Sequence, residues 1–67
     1  MFKKFKTYTH KAMLDVVVLV LTSYRLEDGR YRLKVRWFNR RGIDLGIQET
    51  ITITKPQVKN WYEMEIP

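Results

Sequence analysis

Residues 12–24 read Ala12-Met13-Leu14-Asp15-Val16-Val17-Val18-Leu19-Val20-Leu21-Thr22-Ser23-Tyr24 and follow a lysine-rich start, MFKKFKTYTHK. Whether this stretch is a signal-peptide core, a membrane anchor or a buried strand decides the fold. Lysines ahead of an apolar run imitate the first two regions of a signal peptide. Asp15 interrupts the run, however, and leaves only Val16 to Leu21 uninterrupted; Thr22, Ser23, Tyr24 and Arg25 then offer no small-x-small cleavage site. A membrane-crossing helix needs about 20 apolar residues. The expectation is therefore a cytoplasmic chain with no integral membrane association. Val16-Val17-Val18 is β-branched and stiff at χ1, which suits a pleated strand.

Glu27-Asp28-Gly29-Arg30 follows that strand. Asp-Gly favours a two-residue hairpin turn of type I′, because both central residues need positive φ. Folding about Asp28-Gly29 pairs Leu26 with Tyr31, Tyr24 with Leu33, Thr22 with Val35 and Val20 with Trp37 on an apolar face. The opposite face then pairs Arg25 with Arg32, Ser23 with Lys34, Leu21 with Arg36 and Leu19 with Phe38. Asn39-Arg40-Arg41-Gly42 reads as a second turn. Beyond it Ile43, Leu45, Ile47, Ile51 and Ile53 alternate with polar residues as a strand would; Glu49 is a misfit on that apolar face and Gly46 signals a bulge. Pro56 ends the strand, and Lys55 to Asn60 suits a short 3₁₀ turn before a last strand with Tyr62, Met64 and Ile66 inward.

The expected fold is all-β: a small barrel or antiparallel meander of four to five strands, with a short 3₁₀ turn before the last. In layout alone it resembles SH3-like and Tudor-like domains, a likeness that assigns no activity. Residues 14–67 form a single small β domain. Residues 1–13 form a basic N-terminal segment in which Phe2, Phe5 and Tyr8 recur at helical spacing while Thr7-Tyr8-Thr9 favours a strand. That segment reads as a frayed terminus, a phosphate-gripping arm or an interfacial membrane segment.

Sixty-seven residues allow one small core, and the absence of cysteine excludes disulfides and thiolate chemistry. Thirteen lysines and arginines against seven acids give a net charge of +6. The excess is concentrated in residues 1–13 and in Arg25, Arg30, Arg32, Lys34, Arg36, Arg40 and Arg41, whereas the sign reverses after Gly42. Such a field attracts phosphates, anionic lipid or an acidic protein, and otherwise serves solubility.

Arg30, Arg32, Lys34 and Arg36 form a ladder about 20 Å long at ~3.4 Å per residue. Phe38, Arg40 and Arg41 extend it. A row of cations beside an aromatic suits a nucleic-acid backbone with a stacked base. The plainer reading is a solvated face whose charges pair with Glu63 and Glu65. Val17, Leu19, Leu21 and Phe38 make the base of this face apolar, and they need cover from Phe2 and Phe5, from the fourth strand, or from a second copy; the chain is expected as a monomer or homodimer. Trp37 is in phase with the core. Trp61 is out of phase and either caps the barrel or offers an exposed stacking residue.

No catalytic constellation is assembled. His10 and Ser23 are the only residues of their kinds, a Ser23-His10-Asp15 set has no spacing logic, and no glycine loop or metal-ligand cluster occurs. The leading expectation is a non-catalytic, cofactor-free domain binding DNA or RNA through Arg25, Arg30, Arg32, Lys34, Arg36, Arg40 and Arg41, with Phe38 and Trp61 stacking on bases. The rival is a small protein-interaction module or inhibitor, phage- or mobile-element-encoded in character, docking on an acidic surface of a larger host protein. Five or six phosphate contacts would cost roughly 10³-fold in affinity between 50 and 200 mM salt.

Overall fold

The computed structural model describes residues 2–66. It holds five strands and one short helix: β1 (Thr7–His10), β2 (Met13–Arg25), β3 (Tyr31–Asn39), β4 (Asp44–Ile53), the 3₁₀ helix η1 (Lys55–Asn60) and β5 (Trp61–Glu63). All pairings are antiparallel and the sheet order is β4-β3-β2-β1-β5. The chain therefore meanders through four strands and returns through η1 to pair β5 with β1. The sheet is open. β4 and β5 are its two edges and no ladder joins them, so the fold is the meander and not a closed barrel. No described helix is long and apolar enough to cross a membrane.

The apolar run Val16 to Leu21 lies in β2, and Val17, Val18 and Val20 within it are fully buried. Val18, Val20, Leu33, Val35 and Ile53 form the core with Tyr8 and Phe2. Phe2 packs edge-on against Tyr8 and Tyr31, at ring separations of 5.1 and 5.2 Å, and is 4% exposed. The backbone N–H of Phe5 donates to the Val20 carbonyl, and the Val20 N–H donates to the Lys6 carbonyl, tying the segment before β1 to β2. The basic N-terminal segment is thus built into the core side of the sheet. Phe2 therefore does not cover the outer face.

The β2–β3 hairpin differs from the sequence expectation in its loop. The Gly29 N–H donates to the Leu26 carbonyl and the Leu26 N–H to the Arg30 carbonyl, so Glu27-Asp28-Gly29 is a three-residue loop with Gly29 at φ +88°. This is a turn followed by a left-handed glycine, which adds one residue to the connection. The register becomes Arg25 opposite Tyr31, Tyr24 opposite Arg32, Ser23 opposite Leu33 and Thr22 opposite Lys34. A second shift between Val20 and Thr22 then sets Val20 opposite Val35, Leu19 opposite Arg36, Val18 opposite Trp37 and Val17 opposite Phe38. Tyr24 leaves the core side in consequence, and the like-charged Arg25–Arg32 pair does not form.

In β4 the bulge signalled by Gly46 is present: the register shifts between Arg36 and Phe38, and Gly46 has φ +75°. Glu49 fits its apolar face because its carboxylate accepts a 3.0 Å hydrogen bond from the Trp37 indole N–H. Only the second half of β4 reaches the core, through Ile51 and Ile53. Ile43, Leu45 and Ile47 are exposed, contrary to their inward assignment, because the core ends before them. Tyr62, expected inward with Met64 and Ile66, is exposed and Trp61 packs on the core instead, while Met64 and Ile66 are half-buried between exposed Glu63 and Glu65. The Trp61 N–H still bonds the Val58 carbonyl at the end of η1, so the helix delivers Trp61 against the His10 ring, edge-on at 5.0 Å.

Candidate nucleic-acid interface

Along β3, Leu33 and Val35 are buried while Arg32 and Lys34 are exposed, as alternation requires. Arg32 lies between Tyr24 of β2 and Thr52 of β4; Lys34 lies between Thr22 and Thr50. These side chains share the outer face. Thr22, Tyr24, Arg32, Lys34 and Thr50 line one depression of about 300 Å³. Tyr24 is 63% exposed, an aromatic ring standing in water beside two cations. Neither Arg32 nor Lys34 has an ion pair among the described residues.

The remaining members of the ladder are placed differently. Arg30 is turned back on the loop, its Nε 2.7 Å from Asp28 Oδ2. The Asp28 carboxyl is held below its ordinary value, chiefly by the backbone N–H of Arg30. Arg36 donates from Nε to Asp44 Oδ2 at 2.6 Å and from Nη1 to Gln48 Oε1 at 3.3 Å. The Asp44 carboxyl is held low first by that Arg36 hydrogen bond and next by the Gly46 N–H. Arg25 falls on the other side of the sheet, its guanidinium 6.0 Å from the Tyr31 ring centroid. Arg40 and Arg41 are exposed in the β3–β4 turn, at the far end of β3 from Arg32. Phe38 is half-buried opposite Val17 and Asp44. Trp61 lies off this face altogether.

The seven cations and two aromatics expected to act together therefore reduce to Arg32 and Lys34 on the open face, with Arg36 held in an ion pair. Tyr24 is the aromatic they stand beside, and sequence reasoning assigned it to the core. A three-residue loop at Glu27-Asp28-Gly29 is the signal that would have found it. Glu63 and Glu65 do not neutralise the ladder: β5 is separated from β3 by β1 and β2, and both glutamates border a depression with Phe5, Lys6 and Thr7.

His10 serves the β1–β2 turn, where its Nδ1 accepts the Ala12 N–H at 3.0 Å. Among the described residues no group of three or more His, Cys, Asp or Glu could hold a metal ion. No family model matches the chain, and no curated protein and no solved structure is significantly similar to it.

Proposed function

We propose that this protein is a cytoplasmic, non-catalytic module that holds a nucleic-acid strand by its phosphates on the outer face of β2, β3 and β4. The observation that carries the reading is the grouping of Arg32 and Lys34, which have no ion pair among the described residues, with exposed Tyr24 around one depression. Two residues apart on one strand face, the two cations stand about 7 Å apart. Successive phosphates of an extended single strand can meet them in turn. Tyr24 then supplies a stacking surface for one base, and Thr22 and Thr50 supply hydroxyls to phosphate or sugar oxygens. A half-open sheet with a 3₁₀ turn between its last two strands belongs, on this reading, with the SH3-like layouts, here used as a flat platform.

The test is fluorescence anisotropy of labelled single-stranded and duplex DNA and RNA between 50 and 200 mM salt. With Arg30 and Arg36 held by carboxylates and Arg25, Arg40 and Arg41 away from the depression, two phosphate contacts are available in place of five or six. For a single strand the affinity should fall roughly 7-fold over that range, less steeply than the full ladder would give. Arg32→Glu combined with Lys34→Glu should abolish binding. No binding at low salt overturns the reading, and a salt-insensitive complex with an acidic protein would favour the docking alternative.

A further inference from the structure

The open seam between β4 and β5 coincides with an apolar depression. A cleft of about 250 Å³ lies there, walled by Met13, Trp37, Ile51, Ile53 and Trp61, with His10 among the polar groups of its lining. We infer that this seam is a docking cleft for an extended acidic segment of another protein, which adds to the free edge of β4 and seats one large apolar side chain between Trp37 and Trp61.

Four observations select that occupant. First, β4 has a partner on one side only, and its Ile51 to Ile53 stretch forms part of the cleft wall. An added strand would find hydrogen-bonding backbone and a side-chain pocket at one place, the combination that gives strand addition both affinity and specificity. Second, β4 carries neither lysine nor proline from Asp44 to Ile53, and its bulge at Gly46 leaves the Gln48 to Ile53 stretch in regular register. Third, the volume falls below the roughly 300–1,000 Å³ of small-molecule pockets. It suits a single side chain and not a cofactor, and tryptophan and methionine walls are typical of protein anchor sites.

Fourth, the charges choose the sign of the partner. Lys11 lies in sequence between two lining residues, His10 and Ala12, and Lys59 between Gln57 and Trp61, and both lysines are exposed. Glu49, the acid nearest along β4, is engaged by the Trp37 indole. The net charge of +6 also opposes a second copy of this chain as the occupant. The cleft uses the opposite side of the sheet from Arg32 and Lys34, so the inference stands independently of the nucleic-acid reading.

Trp37 and Trp61 are the only tryptophans, and both line the cleft, so intrinsic emission reports its occupancy. The probe is an end-blocked nine-residue peptide that alternates glutamate with valine, one valine being replaced by leucine. The expected result is a saturable shift of emission to shorter wavelength. Met13→Glu, an exposed position, should weaken it at least about 30-fold, an effect of hot-spot size. The same loss is expected when lysine replaces glutamate in the peptide, and when proline replaces alternate residues and removes the strand's N–H groups. A single-stranded oligonucleotide should not displace the peptide. No shift at millimolar peptide overturns the inference, as does an equal response to the proline peptide. A mass doubling of the protein alone, with the same emission shift, would also overturn it by making a second copy the occupant.

Discussion

Asp44 governs how much of the basic face is available. Its carboxylate holds Arg36 at 2.6 Å and also accepts the Gly46 N–H at 2.7 Å. Because the Asp44 carboxyl is depressed below 3.8, its contribution to stability is present above the unfolded value and is lost as pH falls through the folded one. The pair is intact at neutral pH and opens only in acid. Asp44→Asn keeps an oxygen for Gly46 and releases Arg36 at pH 7. Oligonucleotide affinity should rise, and the salt slope should steepen by about 0.7 for one more single-strand phosphate, both read from the anisotropy titration. Tyr24→Ala should weaken binding by about 1–3 kcal/mol, the usual worth of one stacked base, with Tyr24→Phe close to wild type. At this scale the sequence was legible where a misfit announced itself, as Glu49 did. Tyr24 was not legible, because its side of the sheet depends on a loop length that composition does not determine.

The β2–β3 hairpin carries that lesson to whole elements. Four of the five strands, the 3₁₀ turn before the last and the bulge at Gly46 follow from β-branched runs, alternation, Pro56 and the glycines, whereas β1 lies in the N-terminal segment whose spacing is ambiguous between helix and strand. The hairpin's register does not follow, because Asp28-Gly29 is compatible with both a two- and a three-residue loop, and each extra residue flips every side chain beyond it. In the three-residue form Gly29 occupies φ +88°, where a side chain is strained, and an added Cβ would stand 3.4 Å from Lys55 Cδ. Gly29→Ala should cost about 1–2 kcal/mol, the usual penalty for a left-handed L-residue. In a domain this small each kilocalorie lowers the melting temperature by about 4–8 °C, which a thermal melt followed by circular dichroism resolves. Had the tight turn been right, with both of its central residues at positive φ, Asp28→Ala would be the more damaging change; in the three-residue loop it removes the ion pair to Arg30 and an N–H acceptor on an exposed loop.

At the scale of the molecule, the long apolar run is legible as a central strand because nothing else accommodates six consecutive apolar residues in so short a chain. The contribution of the N-terminus is not legible, since Phe2 sits in a lysine-rich stretch whose periodicity is ambiguous. Physically it belongs in the core: β1 is an inner strand between β2 and β5, and the chain before it crosses back onto the apolar side. Among the described residues only eight hydrophobic side chains are buried, so each carries a large share of the stability. Phe2 is buried against Tyr8 and Tyr31, and the Tyr8 hydroxyl accepts the Lys3 N–H at 2.8 Å just beyond it. Truncating a buried phenylalanine typically costs about 3–5 kcal/mol, comparable with the entire stability expected of a domain this small. Phe2→Ala should therefore leave the chain largely unfolded near 37 °C, whereas Phe5→Ala, at a position 67% exposed, should change stability by less than about 0.5 kcal/mol. Urea melts of the two variants separate the cases. Equal, small effects would mean that the N-terminal segment lies outside the cooperative unit and that the core closes without Phe2.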